Sequence, residues 1–267
     1  MDSTPSIDVS LIITVFNNRS LLRQLLRGIK RFPPHVAYEI FVVDNHSSDL
    51  VSEMVTQEFP EVKLFVLPKN YGLAYANNLG MRNAHGRYVL ILNPDIAVLE
   101  GSIDALVAFA DAHPHAGIVG PRLLNPDKSL QFSTYRFPKW YTPILRRTPL
   151  GKLKLFQNEL RSYVMKDWDH ADDRPVDWVL GAAMLIRAST LAKVGMQDEH
   201  FFLYFEDVDL CKRFWNNAIE VWYAHKVPFI HYHRRESAES PGFQGIITPA
   251  TKYHIQSWIK YFRKHRK

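Results

Sequence analysis

Only one cysteine, Cys211, occurs in the 267 residues, so an internal disulfide is excluded and a reducing compartment is expected. Long apolar runs are missing too: the hydrophobic stretches are strand-sized and none approaches the ~20 residues that span a membrane. The opening Met1-Asp2-Ser3-Thr4-Pro5 lacks a basic region followed by an apolar core, so no signal peptide is expected and the cytoplasm is the expected location. There is no internal repeat and no low-complexity tract. A concentrated basic stripe is absent as well. The formal net charge of +6 favours an anionic partner, whether nucleic acid, a phosphorylated small molecule or an anionic membrane face. The excess is spread over Arg146, Arg147, Lys152, Lys154 and the tail from Lys260 to Lys267. Nucleic acid needs one continuous basic groove and is set aside.

What remains is a globular composition, 46% hydrophobic and 22% charged, with enough length for one sizeable core as a single large domain or two fused halves. Apolar, β-branched runs at Val9 to Phe16, Tyr38 to Val43, Val62 to Leu67, Tyr88 to Leu92 and Gly117 to Gly120 read as strands. Between them lie helical patterns: Leu21, Leu22, Leu25, Leu26 and Ile29 share a face, and Leu73 to Ala84 and Ser102 to Ala112 follow. Strands alternating with helices predict an α/β fold, a mostly parallel sheet built from βαβ units.

After Pro121 the alternation breaks. Trp140 to Phe156 mixes apolar residues with arginine and lysine, as either an amphipathic interfacial flap or a solvated insertion. Trp178 to Arg187 reads as a strand whose Gly181-Ala182-Ala183 lets another group approach the backbone. The acidic Glu206-Asp207-Val208-Asp209 opens a helix through Trp215, and Ile219 to Tyr223 and Val227 to Ile230 are two further strands. Thr248-Pro249 has N-cap and first-turn chemistry for a last helix that buries Ile255, Trp258, Ile259 and Phe262.

Polar groups collect at the strand ends. The run Tyr88 to Leu92 issues into Asn93-Pro94-Asp95, which puts Asp95 at the carboxyl edge of a sheet, where open α/β folds bind ligands. A carboxylate there suits a divalent cation beside a diphosphate, and equally an ordinary capped turn. The same tripeptide recurs as Asn125-Pro126-Asp127, between Leu124 and Leu130, where it reads as a hairpin connection only. Asn17, Asp44 and His231 also end strands, and Asp207 starts a helix. Singly, each has a structural explanation as turn former, satisfied imidazole or cap; together they supply a base-binding edge, a metal carboxylate and a proton acceptor.

The segments Thr14-Val15-Phe16-Asn17, Val42-Val43-Asp44-Asn45-His46-Ser47, Asn70-Tyr71-Gly72-Leu73-Ala74, Leu92-Asn93-Pro94-Asp95 and Phe202 to Leu210 resemble the inverting family 2 glycosyltransferases, in particular their bacterial rhamnosyltransferase-like branch. The resemblance covers nearly the whole chain in the family's motif order. It implies a single GT-A domain, with a nucleotide-sugar-binding half over about 7–125 and an acceptor-binding half over about 126–267. It also implies a divalent cation, Mg2+ or Mn2+. By this likeness Thr14, Phe16, Asn17 and Asp44 hold the nucleoside, Asp44 accepting from the base's ring N–H, while Asn70, Gly72 and Asn78 line the donor pocket. Asn93-Pro94-Asp95 replaces the family's Asp-x-Asp: Asp95 binds the metal, and neutral Asn93 either ligates or supports from behind. His231, in His-x-x-x-Arg-x-Ser with Arg235 and Ser237, matches a further metal ligand, with His233 as rival. Asp207 matches the catalytic base, Glu206 supports its loop or touches acceptor, Asp209 faces outward, and Trp178 with Gly181 forms the acceptor and sugar platform.

The implied reaction transfers a sugar from a nucleoside diphosphate, dTDP-rhamnose ahead of UDP- or GDP-sugars, to a lipid-linked or polysaccharide acceptor. Processive synthases resemble this domain but carry Gln-x-x-Arg-Trp and membrane spans, which the sequence lacks. The neutral Asn93 leaves a non-catalytic nucleotide-sugar-binding module as the alternative. The basic tail and Trp140 to Phe156 suggest peripheral contact with an anionic membrane face.

Overall fold

The computed structural model describes residues 7–232 and 248–266. The first half alternates as its pattern predicts: β1 (Val9–Val15), α1 (Arg19–Arg31), β2 (Tyr38–Asp44), α2 (Val51–Glu58), β3 (Lys63–Val66), α3 (Leu73–Arg82) and β4 (Tyr88–Leu92). Then follow β5 (Ile96–Ala97), α4 (Ser102–Ala112), β6 (Ala116–Leu124), β7 (Thr134–Tyr135), α5 (Thr142–Arg147), a 3-10 turn over Pro149–Lys152 and α6 (Lys154–Tyr163). The chain continues through β8 (Arg174–Pro175), β9 (Trp178–Val179), β10 (Ala183–Arg187), α7 (Ala188–Val194), α8 (Glu206–Asn216), β11 (Glu220–His231) and α9 (Pro249–Lys264).

One sheet takes the order β3-β2-β1-β4-β10-β6-β11-β5, with β8 beside β11. The strands β3, β2, β1, β4, β6 and β11 run the same way, and β10 is inserted antiparallel between β4 and β6. The centre of the sheet explains its sequence. Leu11, Ile13, Leu90 and Leu92 enter one core, while Ile12, Val89 and Ile91 enter the other. Both faces are covered, so β1 and β4 are continuously apolar instead of alternating. Each large side chain so buried contributes ~1.5–3 kcal/mol.

Four sequence expectations change in ways that matter for the site. The strand expected over Trp178 to Arg187 breaks at Leu180-Gly181-Ala182: β9 pairs with β7 in a separate ribbon, and β10 joins the main sheet. The two strands expected over 219–230 are one, β11, whose pairing with β6 shifts register between Ala224 and Pro228 because proline has no N–H to contribute to the ladder. Residues 140–163 form two short helices rather than one flap. On α9, Thr248 caps as expected, its Oγ1 accepting from the Thr251 N–H, but Ile255 and Ile259 are exposed. The buried face carries Ser257, bonded to the Leu203 carbonyl, and Tyr261, packed on Phe205. Those polar-tipped anchors rotate the helix away from its most apolar stripe. Among the described residues no helix is long and apolar enough to cross a membrane.

Candidate active site

The strand ends of the first half interlock through their loops. Asn17 adopts a left-handed backbone (φ 52°), and its Oδ1 accepts from the Ser48 N–H at 2.8 Å. Its N–H donates to Ser47 Oγ at 2.9 Å. Asp44 ends β2 at 2% exposure, with Oδ1 accepting from the Ser47 N–H and Oδ2 from the Ser52 hydroxyl. Phe16 projects beside them at 44% exposure. The Thr14 hydroxyl is buried and donates to Asn77, whose amide donates on to Gln197. Asn70 folds its own turn, accepting from the Gly72 N–H and from the Asn45 amide. Gly72 has φ 92°, and a Cβ on it would sit 2.6 Å from the Phe202 carbonyl oxygen, so only glycine lets this turn abut the segment that leads to Asp207. Leu73 N–H donates to that same carbonyl.

One donor-pocket expectation is corrected. Asn78 is buried, its Oδ1 taken by the Gln197 N–H and its amide nitrogen donating to the Gln197 carbonyl and Glu199. With every polar atom occupied it clamps α3 to residues 197–199. Asn45 is the residue missed: its amide donates to Asn70 and the Gly72 carbonyl and its Oδ1 accepts from the Tyr71 N–H, organising the turn.

Asp95 and His231 meet because β5 pairs antiparallel with β11, His231 lying opposite Ile96. His231 Nε2 stands 3.4 Å from Asp95 Oδ2. The other ring nitrogen, Nδ1, is 2.6 Å from Gln131 Oε1. The orientation of that glutamine is fixed in turn, since its Nε2 donates to Asn125 Oδ1 at 3.0 Å. Nδ1 therefore carries a proton, which aims Nε2 at the carboxylate. A carboxylate and a ring nitrogen at this separation can share either a proton or a small cation. Asp95 Oδ1 is also buried with no hydrogen-bond partner among the described residues. Both observations fit a small divalent cation: two ligand atoms about 2.0–2.2 Å from one ion lie about 3–3.5 Å apart. Asn125 belongs to the second Asn-Pro-Asp, so that copy is more than a hairpin connection: it orients the histidine beside the first. No group of three or more His, Cys, Asp or Glu able to hold a metal occurs among the described residues, so such an ion would rely on diphosphate oxygens to complete its shell. His233, Arg235 and Ser237 lie outside the described residues.

The second carboxyl centre opens α8. Tyr204 and Phe205, both at φ 68°, turn the chain into the helix through two successive left-handed residues, a strain typical of functional loops. Asp207, 7% exposed, accepts from the Gly181 N–H at 3.0 Å and from its neighbour's, Val208, at 2.8 Å. A Cβ on Gly181 would lie 3.2 Å from Asp207 Cβ. Ala182, the next residue, accepts the Asn93 N–H at 2.8 Å. The break between β9 and β10 thus holds Asp207 and the Asn93–Asp95 turn to adjacent residues. Glu206 is buried at 5% exposure, its Oε2 without a partner among the described residues. Burial, and then the neighbouring Asp207 charge, push its carboxyl up to about 8. Burial also raises Asp207, opposed by the Gly181 and Val208 N–H groups. Those donors favour charge on Asp207, so at neutral pH Glu206 keeps the proton and Asp207 the charge.

Two further expectations are corrected. Asp209 does not face outward: its fully buried side chain is held by Arg213, Lys264 and His265 at 2.8–2.9 Å. Burial opposes its ionisation, but those three partners keep its carboxyl below the usual range and tie α9 to α8. Trp178 is not an exposed platform: it is buried, stacked on Tyr135 at 4.3 Å, with its indole N–H on the Arg136 carbonyl.

The family model described as "Glycosyl transferase family 2" matches residues 10–167. The chain is 30% identical over 215 residues to the N-acetylglucosaminyl-diphospho-decaprenol L-rhamnosyltransferase of Mycobacterium tuberculosis, covering 76% of this chain and 69% of that protein. It is 25% identical over 267 residues to the rhamnosyltransferase WbbL of Escherichia coli K12, covering 97% and 94%. Among solved structures it resembles GalNAc-T7 with UDP, GalNAc and Mn2+, with TM-score 0.68 and 15% identity over 96% of this chain and about half (48%) of that one. It also resembles the mannosyltransferase PcManGT of Pyrobaculum calidifontis with GDP-Man and Mn2+, with TM-score 0.57 and 17% identity over 87% of this chain and 59% of that one. At such identities the structural likeness is one of fold.

Proposed function

The chain belongs to glycosyl transferase family 2, and we propose that it transfers a single rhamnose from dTDP-rhamnose, with inversion at the anomeric carbon, to a lipid-linked or polysaccharide acceptor in cell-surface glycan synthesis. The observation that carries this reading is the tie of Asp207 and the Asn93–Asp95 turn to adjacent residues, Gly181 and Ala182. It supports a reading in which one crevice holds a proton acceptor, Asp207, and a cation site at Asp95 and His231. The rhamnosyltransferase relatives favour the sugar, and the diphospho-decaprenol substrate in the mycobacterial relative's name favours the acceptor.

In this reading Phe16, Asn17 and Asp44 line the nucleoside site, with the turn of Asn70 and Gly72 below them. Asp95 and His231 hold Mg2+ or Mn2+, with Asn93 in support; the ion, when bound, offsets negative charge on the departing diphosphate. Asp207 takes the proton from the acceptor hydroxyl as that oxygen attacks the anomeric carbon, on the face opposite the leaving group. Such a positioned base contributes typically ~10²–10⁴-fold. Glu206 stays protonated beside it, so the pair presents one negative charge, and Gly181 leaves room for Asp207 and fixes its direction. The segment 140–155 exposes Trp140 (64%) and Leu155 (81%) along with Leu150 and Leu153, among Arg146, Arg147, Lys152 and Lys154. This mixture suits peripheral contact with the anionic inner face of a membrane, where a lipid-linked acceptor resides.

Incubation with dTDP-rhamnose, UDP-sugars or GDP-sugars, each with Mn2+ or Mg2+ and a glycosyl-diphosphate lipid, tests the reading. The expected result is release of dTDP with a product of inverted anomeric configuration. Failure to bind or turn over any of these donors contradicts it, and binding without transfer or hydrolysis favours a non-catalytic module.

A further inference from the structure

Two exposed cations have no acidic partner among the described residues. They are Arg146 and Arg147, in the last turn of α5. The Arg146 guanidinium lies 5.4 Å from the Tyr163 ring centre and 5.9 Å from that of Tyr135. Tyr135 stacks on Trp178, three residues before Gly181, and the Tyr163 hydroxyl feels the charge of Asp207. Arg147 interacts with Tyr204 and is repelled by Arg146. His254, on α9, feels both arginines and packs 5.2 Å from the rings of Tyr204 and of Phe205, the residue before Glu206. Arg146 is thus joined through the Tyr163–Tyr135–Trp178 stack to the segment whose Gly181 N–H holds Asp207, and Arg147 neighbours Tyr204, two residues before Glu206.

Burial, then Arg147 and Arg146, push the His254 imidazole down to about 3, so it is neutral and adds no charge. Packing and the neighbouring Arg146 also disfavour ionisation of Arg147. Asp207 is bonded to backbone N–H groups, not to either arginine. A phosphodiester or doubly esterified diphosphate, carrying one or two negative charges, would offset the repulsion between the guanidiniums, and the planar fork of arginine matches phosphate oxygens.

We propose that Arg146 and Arg147 bind the phosphate or diphosphate of a lipid-linked acceptor, holding it one sugar ring away from Asp207. This rests on the reading of the chain as a transferase to such an acceptor. The base meets the acceptor's hydroxyl, so groups beside it meet the rest of the acceptor, and in a glycosyl-diphosphate lipid the anion lies across the sugar from its attacking hydroxyl. The donor's own diphosphate belongs with Asp95 and His231. The exposed Leu150, Leu153 and Leu155 follow the arginines in sequence, offering apolar contact where the lipid chain leaves.

The test compares the full chain with the Arg146→Ala/Arg147→Ala and Arg146→Lys/Arg147→Lys variants. Acceptors are a short-chain polyprenyl-diphosphate glycoside and the same sugar as a phosphate-free alkyl glycoside. The alanine variant should raise KM for the diphosphate acceptor ~10-fold or more, the loss expected for charge-assisted hydrogen bonds. Its kcat/KM on the alkyl glycoside and its nucleotide affinity should stay within about threefold, and lysines should restore part of the loss. Equal losses on both acceptors mean a structural role and overturn the proposal. Weaker nucleotide affinity assigns the arginines to the donor diphosphate and overturns it too. So does an unchanged KM with lost binding to anionic phosphatidylglycerol vesicles, which makes the site a lipid-headgroup contact. A wild-type chain that transfers to neither acceptor overturns the transferase reading itself, which the other outcomes leave standing.

Discussion

Asp207 and Asn93, two residues before Asp95, are bonded to neighbouring residues of one strand break, yet the surroundings of the two aspartates are opposite. Asp95 faces an imidazole whose far nitrogen is pinned by Gln131, and one of its oxygens is buried without a partner among the described residues. Asp207 has a second carboxyl as chain neighbour, two backbone N–H donors and little access to water. The first arrangement sets a carboxylate against an imidazole and leaves one carboxylate oxygen without a partner among the described residues. The second crowds acid against acid, so the pair keeps one proton, on Glu206, and Asp207 with its two N–H donors keeps the charge. Carboxylates alike in sequence are thus given different surroundings, and the separate roles proposed for them rest on that difference.

The largest expected effect breaks the second centre. Asp207→Asn should lower kcat for transfer ~10²–10⁴-fold with KM for donor little changed, measured by initial rates of nucleotide release; near-normal turnover would move the base elsewhere. Next comes the relay behind the first centre. Gln131→Leu frees the His231 ring and should weaken Mn2+ affinity ~10–100-fold, read by metal titration of nucleotide binding; unchanged affinity would separate His231 from the metal. The smallest effect sharpens the acid–acid pair. Glu206 binds its proton more tightly folded, at about 8, than unfolded, at 4.5. Its contribution to stability is therefore complete below pH 4.5 and is lost as pH rises through about 8. Wild-type melting temperature should fall across that window, and Glu206→Gln should flatten part of the fall, with each kcal/mol relieved at high pH worth ~2–4 °C. Parallel curves for the two proteins would mean that Glu206 is not held protonated.

The sheet was legible because its central strands are buried on both faces, which leaves an apolar run such as Tyr88 to Leu92 with few alternatives. The helix face of α1 was legible for the same reason, since Leu22, Leu25, Leu26 and Ile29 are all buried. The face of α9 was not, because a serine hydroxyl and a tyrosine ring fix its rotation, and apolar periodicity ignores both. The pairing of Asp95 with His231 followed from motif order, but its support did not. The contact between Gln131 and His231 spans 100 positions, and the only signal for it was the repeated Asn-Pro-Asp. The family likeness puts Trp178 and Asn78 in the binding site, whereas packing and saturated hydrogen bonds enclose them. Motif residues fix the edges of such a crevice, and burial decides which of them face it.

The contrast between the two carboxyl centres is tested most directly by nucleotide binding with and without Mn2+ in Asp95→Asn and Asp207→Asn, measured side by side by calorimetry. Asp95→Asn should abolish the gain in dTDP affinity that Mn2+ confers on the wild type, and Asp207→Asn should keep that gain within a few-fold. A metal-dependent gain that survives in Asp95→Asn but disappears in Asp207→Asn would reverse the two roles and contradict the account.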